Sequence, residues 1–280
     1  MESTISQQLV EADPRFDQVY SHVYCVQQSA HALPTQHLLV PNYEMLLVVN
    51  FGPDIPISLG REPHVIQQTA LIGPLQKLLR YELPPGADLL IVNFTLNGFY
   101  RLLGMPMHQL RGTDFFDPDV LLKDGCFQTL RVQLASMNLL NDRLQRINEF
   151  ISVYLTPTDE ATRSLITSIP HFRQTAIDPV KAVAQTHQLS PRGVQLRFQT
   201  QLGYSAKALT RFLRFRNVVA LVVQQFPMAP DWTDLVLKYG YYDQSHLIKD
   251  FLQFMAITPT EFIRQLARQD VCIPQTGKHY

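Results

Sequence analysis

The feature that most constrains this chain is a near-repeat between Asp178 and Gln269: twice, a short helical segment runs into a tight turn and a second helix opened by a capping residue. The first copy reads DPVKAVAQTHQLSPRGVQLRFQTQLG. A helix is predicted from Pro179 to about His187, then a turn of Gln188 and Leu189, then a helix capped by Ser190 with Pro191 as its first residue. A serine oxygen accepts from backbone N–H groups that have no helical partner, and proline at the first position lacks only a donor that would go unpaired. The second copy, TDLVLKYGYYDQSHLIKDFLQFM, predicts a helix from about Asp231 to Tyr239, Gly240 in the turn, Asp243 as cap and a second helix to Met255. Between the copies Ser205 caps a long helix, AKALTRFLRFRNVVALVVQQF, and Thr258 with Pro259 opens a last helix to about Gln269.

Two short helices joined by a tight turn, the second presenting polar residues, is the helix-turn-helix plan. Val194, Phe198 and Leu202 recur in steps of four and are expected to face a core, which leaves Arg192, Gln195, Leu196 and Gln199 outward. In the second unit Leu247, Phe251 and Phe254 are expected inward, with Gln244, Ser245, Ile248 and Lys249 outward. Arginine can grip guanine bidentately and glutamine adenine, so these faces suit a major groove. Charge points the same way: residues 1–157 carry 10 Lys+Arg against 15 Asp+Glu, and residues 158–280 carry 14 against 9. The basic half is the one suited to phosphate. Arg211, Arg214 and Arg216 on the long helix are candidate phosphate contacts, although one helix cannot point all three the same way.

The first half has a different grammar. YSHVYCVQQ, HLLVPNYEMLLVVNFG, HVIQQTALIG and ADLLIVNFTL are short strand-like runs separated by GPD, LGREP and LPPGAD, and they predict six to eight strands in a small barrel or sandwich. From Phe127 to Tyr154, apolar residues at 130, 134, 137, 140, 144, 147, 151 and 154 draw one stripe down a predicted helix that starts at Asp124 or Gly125 and ends at Pro157. The stripe, with Leu134, Leu144 and Ile151, either covers a core or forms a dimer seam. A further short helix is predicted over 159–169. The whole reads as an α+β protein of two domains. Residues 1–125 form a β-barrel- or sandwich-like domain with flanking helices, 126–157 an amphipathic linker or dimerisation helix, 158–270 an all-α domain with two helix-turn-helix units joined by a long helix, and 271–280 a tail.

GYYDQSHLIKDF followed by ITPTEF, and LSPRGVQLRF followed by GYSAKALTRFLRF, make the segment from about 158 to 268 resemble the DNA-binding domain of the AraC/XylS family of bacterial transcription regulators. More weakly, PNYEMLLVVNFG, LIGP and VNFTLNGFYRLLGMP resemble a sensor domain attached to some members. The resemblance implies base contacts from Arg192, Gln195 and Leu196 in one unit and from Gln244, Ser245 and Lys249 in the other. It also implies double-stranded DNA as partner, a small-molecule effector in the N-terminal domain, RNA polymerase as a possible further partner, and possible homodimerisation. Three positions depart from the pattern: Leu196 stands where a basic residue is usual, Gln188 where the first turn often has glycine, and Val236 where the second unit has a small alanine.

Other classes find little here. A cupin-type metal enzyme would need converging histidines, usually starting from an H-x-H pair; none occurs, and His31, His37, His64 and His108 are scattered. No phosphate-binding loop, nucleophile elbow or zinc-protease motif is present, so neither catalysis nor a cofactor is expected. A purely structural interaction protein would not need two capped units with basic and amide residues outward. Cys25, Cys126 and Cys272 are odd in number and widely spaced, and they read as reduced packing residues. The longest apolar runs, Met45–Phe51 and Val218–Val223, fall well short of the roughly 20 residues of a membrane span. MESTISQQLVEADPRF carries acids and glutamines where a signal peptide has a basic start and an apolar stretch, so a cytoplasmic location is expected.

Overall fold

The computed structural model describes residues 5–110, 114–122, 125–156, 179–268 and 271–272. The helix expected over 159–169 lies outside these residues. Among them the N-terminal region holds ten strands: β1 (Ile5–Glu11), β2 (Tyr20–Gln28), β3 (Thr35–Leu39), β4 (Leu46–Asn50), β5 (Ile55–Leu59), β6 (Glu62–Ile66), β7 (Thr69–Ile72), β8 (Leu79–Leu83), β9 (Asp88–Phe94) and β10 (Phe115–Phe116). They form two sheets and not one closed barrel. The first runs β1-β2-β9-β4-β7-β10, and the second runs β3-β8-β5-β6. β5 and β6 pair Leu59 with Glu62 across a two-residue loop, where Gly60 supplies the positive φ (61°) that such a loop requires.

The sequence LLVVN of β4 is buried at every position because both faces of the first sheet are covered. Leu46 and Val48 face the second sheet, as do Leu89 and Ile91 of β9. Leu47 and Val49, with Leu90, Val92 and Phe94, face helices on the other side. Those helices are α1 (Gly98–Leu103), α2 (Pro118–Leu122), α3 (Cys126–Ala135) and α4 (Leu140–Tyr154).

The single helix expected from Phe127 to Tyr154 is two, α3 and α4, broken between Ser136 and Leu139. The reason is geometric. A straight helix of that length would run about 42 Å at 1.5 Å per residue, whereas strands of five to nine residues span only about 17–30 Å. Folding back lets Leu130 and Leu134 of α3 and Ile147, Phe150 and Ile151 of α4 cover one sheet face together. Phe127 and Phe150 meet at 5.2 Å between ring centroids. The stripe thus serves a core: Leu134 and Ile151 are buried against the first sheet, and Leu144 packs half-buried at its margin.

The C-terminal region is helical: α5 (Pro179–Thr186), α6 (Pro191–Leu202), α7 (Ala206–Gln225), α8 (Trp232–Lys238), α9 (Gln244–Met255) and α10 (Pro259–Ala267). Its core is aromatic, with Phe215 lying 4.9 Å from both Phe251 and Phe254. This core does not stop at the domain boundary. Tyr43, in the loop between β3 and β4, stacks on Phe212 at 4.1 Å and meets Tyr204 edge-on at 4.8 Å. The Tyr204 hydroxyl donates to the Tyr43 carbonyl (3.3 Å), and the Leu78 N–H donates to the Phe254 carbonyl (3.1 Å). Tyr43 holds a φ of 62°, which a residue with a Cβ adopts only at a cost of about 1–2 kcal/mol. A last short strand, β11 (Val271–Cys272), pairs in parallel with Leu38 and Leu39 of β3, so the segment expected as a tail begins inside the second sheet.

Candidate nucleic-acid interface

In the first unit the Ser190 Oγ accepts from the Gly193 N–H at 3.0 Å, and Pro191 follows it. Val194, Phe198 and Leu202 are completely buried, which fixes the rotation of α6. Arg192, Gln195, Leu196 and Gln199 are thereby left exposed along one side. The turn before α6 passes through Gln188 at φ 53°, and the matching turn of the second unit passes through Gly240 at φ 68°. Both units need a left-handed residue at this point. Only the second uses the residue that adopts it freely.

In the second unit Asp231 accepts from the Thr233 and Asp234 N–H groups, and Asp243 accepts from the His246 N–H at 2.7 Å. Leu247, Phe251 and Phe254 are buried, while Gln244, Ser245, Ile248 and Lys249 are exposed. Gln244 Nε2 donates to Thr233 Oγ1 at 3.2 Å, tying the start of α9 to α8. α7, twenty residues long, carries one unit at each end and spans about 30 Å. That length is close to the roughly 34 Å between successive major-groove faces of a duplex.

The arginines of α7 have structural partners. Arg211 reaches Asp250 Oδ1 through Nη2 at 2.6 Å and Nε at 2.7 Å, and Arg214 lies 3.7 Å from Oδ2. The Tyr241 hydroxyl donates to the same Oδ2 at 2.9 Å. Burial, then the adjacent carboxylate, push that hydroxyl above its usual range, so it stays a donor. The Arg214 guanidinium also covers the Tyr241 ring at 4.2 Å and donates to the Gly240 carbonyl at 3.3 Å. Asp250 is fully buried, and it pins α9 to α7. Arg216 is half-buried on the side of α7 near Tyr204.

Sequence reasoning missed Asp250, although the signal was there. It falls on the stripe of Leu247, Phe251 and Phe254, and a carboxylate on an apolar stripe requires a cation beside it. Also unanticipated is a groove between α7, α8 and α9 lined by Lys207, Arg211, Arg214, Lys238, His246 and Lys249. It brings five Lys and Arg side chains of α7, α8 and α9 to one groove, two of them paired with Asp250.

Two helix-turn-helix units, each exposing a polar row and held on one rigid helix, define a tandem nucleic-acid-binding domain. Residues 183–265 match the family described as the helix-turn-helix domain, and the C-terminal region is a helix-turn-helix domain of the AraC type, the kind found in DNA-binding transcription regulators. Among curated proteins none matches the chain in sequence. Among solved structures, the chain is similar to ToxT of Vibrio cholerae, at 9% identity over 94% of this chain and 98% of that one, with a TM-score of 0.43. The AraC-like transcriptional activator CuxR matches at 10% identity over 78% of this chain and 87% of that one, with a TM-score of 0.29. KdgF of a Halomonas species matches at 16% identity over 34% of this chain and 80% of that one, with a TM-score of 0.25. Among the described residues no group of three or more His, Cys, Asp or Glu is placed to hold a metal ion, and no helix is long and apolar enough to cross a membrane.

Proposed function

We propose that this chain is a sequence-specific transcription regulator that reads two successive major grooves and answers to a small molecule held between the sheets of its N-terminal domain. Arg192, Gln195 and Leu196 would meet the bases of one groove, Leu196 through a thymine methyl, and Gln244, Ser245 and Lys249 those of the next. One observation carries the reading: each recognition helix has its inward row completely or nearly completely buried, so its outward row is rigidly presented, and both are fixed to one helix of about 30 Å. Phosphate contact falls to the cations of the α7–α9 groove and to Arg211, Arg214 and Arg216, the first two with one side already committed to Asp250. The effector reading rests on a cavity of about 420 Å³ between the sheets, within the range of small-molecule sites.

The test starts with genomic fragments retained by the protein, followed by affinity measured against salt. Arg192→Ala is expected to weaken the selected site by about 1–3 kcal/mol and to relax preference at one base pair. Lys249→Ala, if the lysine meets a phosphate as well as a base edge, is expected to reduce the slope of log K against log salt by about one unit. Equal loss on selected and random DNA for Arg192→Ala, with normal folding, would remove the base-reading role.

A further inference from the structure

The inter-sheet cavity carries no formal charge of its own, and that restricts what can fill it. Of the described residues that line it, none is Asp, Glu, Lys or Arg. Most are aliphatic, among them Leu46, Val48, Ile57, Leu89 and Ile91. Gln7 and Leu9 of the edge strand β1 are exposed and mark the side open to solvent. One polar cluster sits where His22 of β2 stands opposite Asn93 of β9 and Asn93 stands opposite Leu46 of β4, while Gln7, Tyr24 and Tyr81 line the cavity at other levels. Asn42 joins them, donating through Nδ2 to Asn93 Oδ1 at 3.2 Å. From Asn93 back to Leu89 the wall runs about 14 Å along β9 and is otherwise aliphatic on this face.

The wiring behind that polar level decides which head group it takes. Glu44 is buried outside the lining, and its Oε2 accepts from the side-chain amides of both Asn42 (3.3 Å) and Asn93. The second N–H of Asn93 is given to Ser21 Oγ at 3.0 Å. The amide donors are therefore spent on Glu44, on Ser21 and on each other. A carbonyl lone pair of Asn93 is left, together with His22, whose Nδ1 meets Ser21 Oγ at 2.9 Å and whose Nε2 has no partner among the described residues. Burial holds the His22 imidazole below its ordinary range, so it is neutral at pH 7. The Asn93–His22 cluster, an acceptor beside one neutral imidazole and backed by a buried carboxylate, favours a head that donates a hydrogen bond. It has no cation for an anionic head.

We infer that the cavity selects an uncharged amphiphile: an aliphatic body against the strand walls and a hydroxyl or amide head on Asn93 and His22. This rests on the reading of the cavity as the effector site and names its ligand class. An acid of the same chain length enters only by giving up its charge. With a carboxyl pKa near that of glutamic acid, about one molecule in a thousand is neutral at pH 7.5, so an acid that enters only in that form lags its alcohol by up to about a thousandfold.

The experiment measures binding of octanol, octanamide, octanoate and octylammonium to the full chain at pH 7.5 by calorimetry, alongside Val48→Trp, which fills the cavity, and Glu44→Gln. Octanol and octanamide are expected to bind at least roughly tenfold tighter than octanoate, consistent with more than one decade of discrimination. Val48→Trp is expected to abolish that binding, and Glu44→Gln to narrow the gap to octanoate. Octanoate or octylammonium binding as tightly as octanol, with Val48→Trp still blocking, overturns the ligand class while leaving the cavity as the effector site. Binding by none of the four, or binding indifferent to Val48→Trp, overturns the cavity reading and the class with it.

Discussion

Replacing Tyr43 by alanine tests whether the two regions are held as one body. The ring is buried against Phe212, Tyr204 and Phe254, at centroid distances of 4.1, 4.8 and 6.2 Å. Truncating a buried aromatic side chain costs about 3–5 kcal/mol, of which each aromatic pair supplies about 0.5–1.5. Alanine keeps the backbone strain of the positive φ, so the full penalty is expected for Tyr43→Ala. Tyr43→Gly recovers at most about 1 kcal/mol of it, since relief of strain is offset by the greater freedom of glycine when unfolded. Tyr43→Phe retains the stacking and is expected to be near neutral. The partner bond from the Tyr204 hydroxyl goes to the Tyr43 carbonyl and survives all three changes. Urea unfolding reads the magnitude, and amide exchange at Leu78, whose N–H reaches across to the Phe254 carbonyl, reads the junction itself. A loss below about 1 kcal/mol in Tyr43→Ala, with Leu78 as protected as before, would refute the claim that this ring joins the regions.

Three further outcomes follow from the packing. Leu134→Ala is expected to lose about 2–5 kcal/mol in urea unfolding, because the side chain is completely buried against the first sheet; an unchanged midpoint would mean the stripe is not core. Asp250→Asn is expected to lose about 2–3 kcal/mol and to weaken DNA binding by loosening α9 on α7. That figure sits below the usual range for a broken buried pair because Arg211 and Arg214 are partly exposed and can regain water; equal stability by thermal unfolding would deny the clamp. Ala256→Gly, at the end of α9 with φ 55°, is expected to raise stability by up to about 1 kcal/mol, and a lower melting temperature would contradict the strain argument.

The helical half was legible residue by residue because its signals are local. Ser190, Ser205, Asp243 and Thr258 all cap the helices they were expected to cap, each accepting from the N–H three residues on. The inward rows of α6 and α9 followed from spacing alone. The strand-rich character of the first half was readable too, from short runs and turns. The stripe from 127 to 154 misled as to length, because apolar periodicity continues through Ser136–Leu139 while the chain folds back there. Periodicity records which side of a helix is covered, and it does not record where a helix must break to fit its support.

The amino-acid sequence by itself determined the caps, turns and apolar rows that make two helix-turn-helix units on a long helix, since each of these depends on residues within a few positions of one another. Only the tertiary structure decided what the long-range partners are. Asp250 captures arginines 36 and 39 residues away, Tyr43 enters an aromatic cluster built mostly from residues more than 150 positions later, and Asn42, His22 and Asn93 gather at one end of a cavity. No short-range preference encodes those meetings. They arise where burial of apolar faces brings distant segments together, and the polar groups carried along with them must then find partners in the same place.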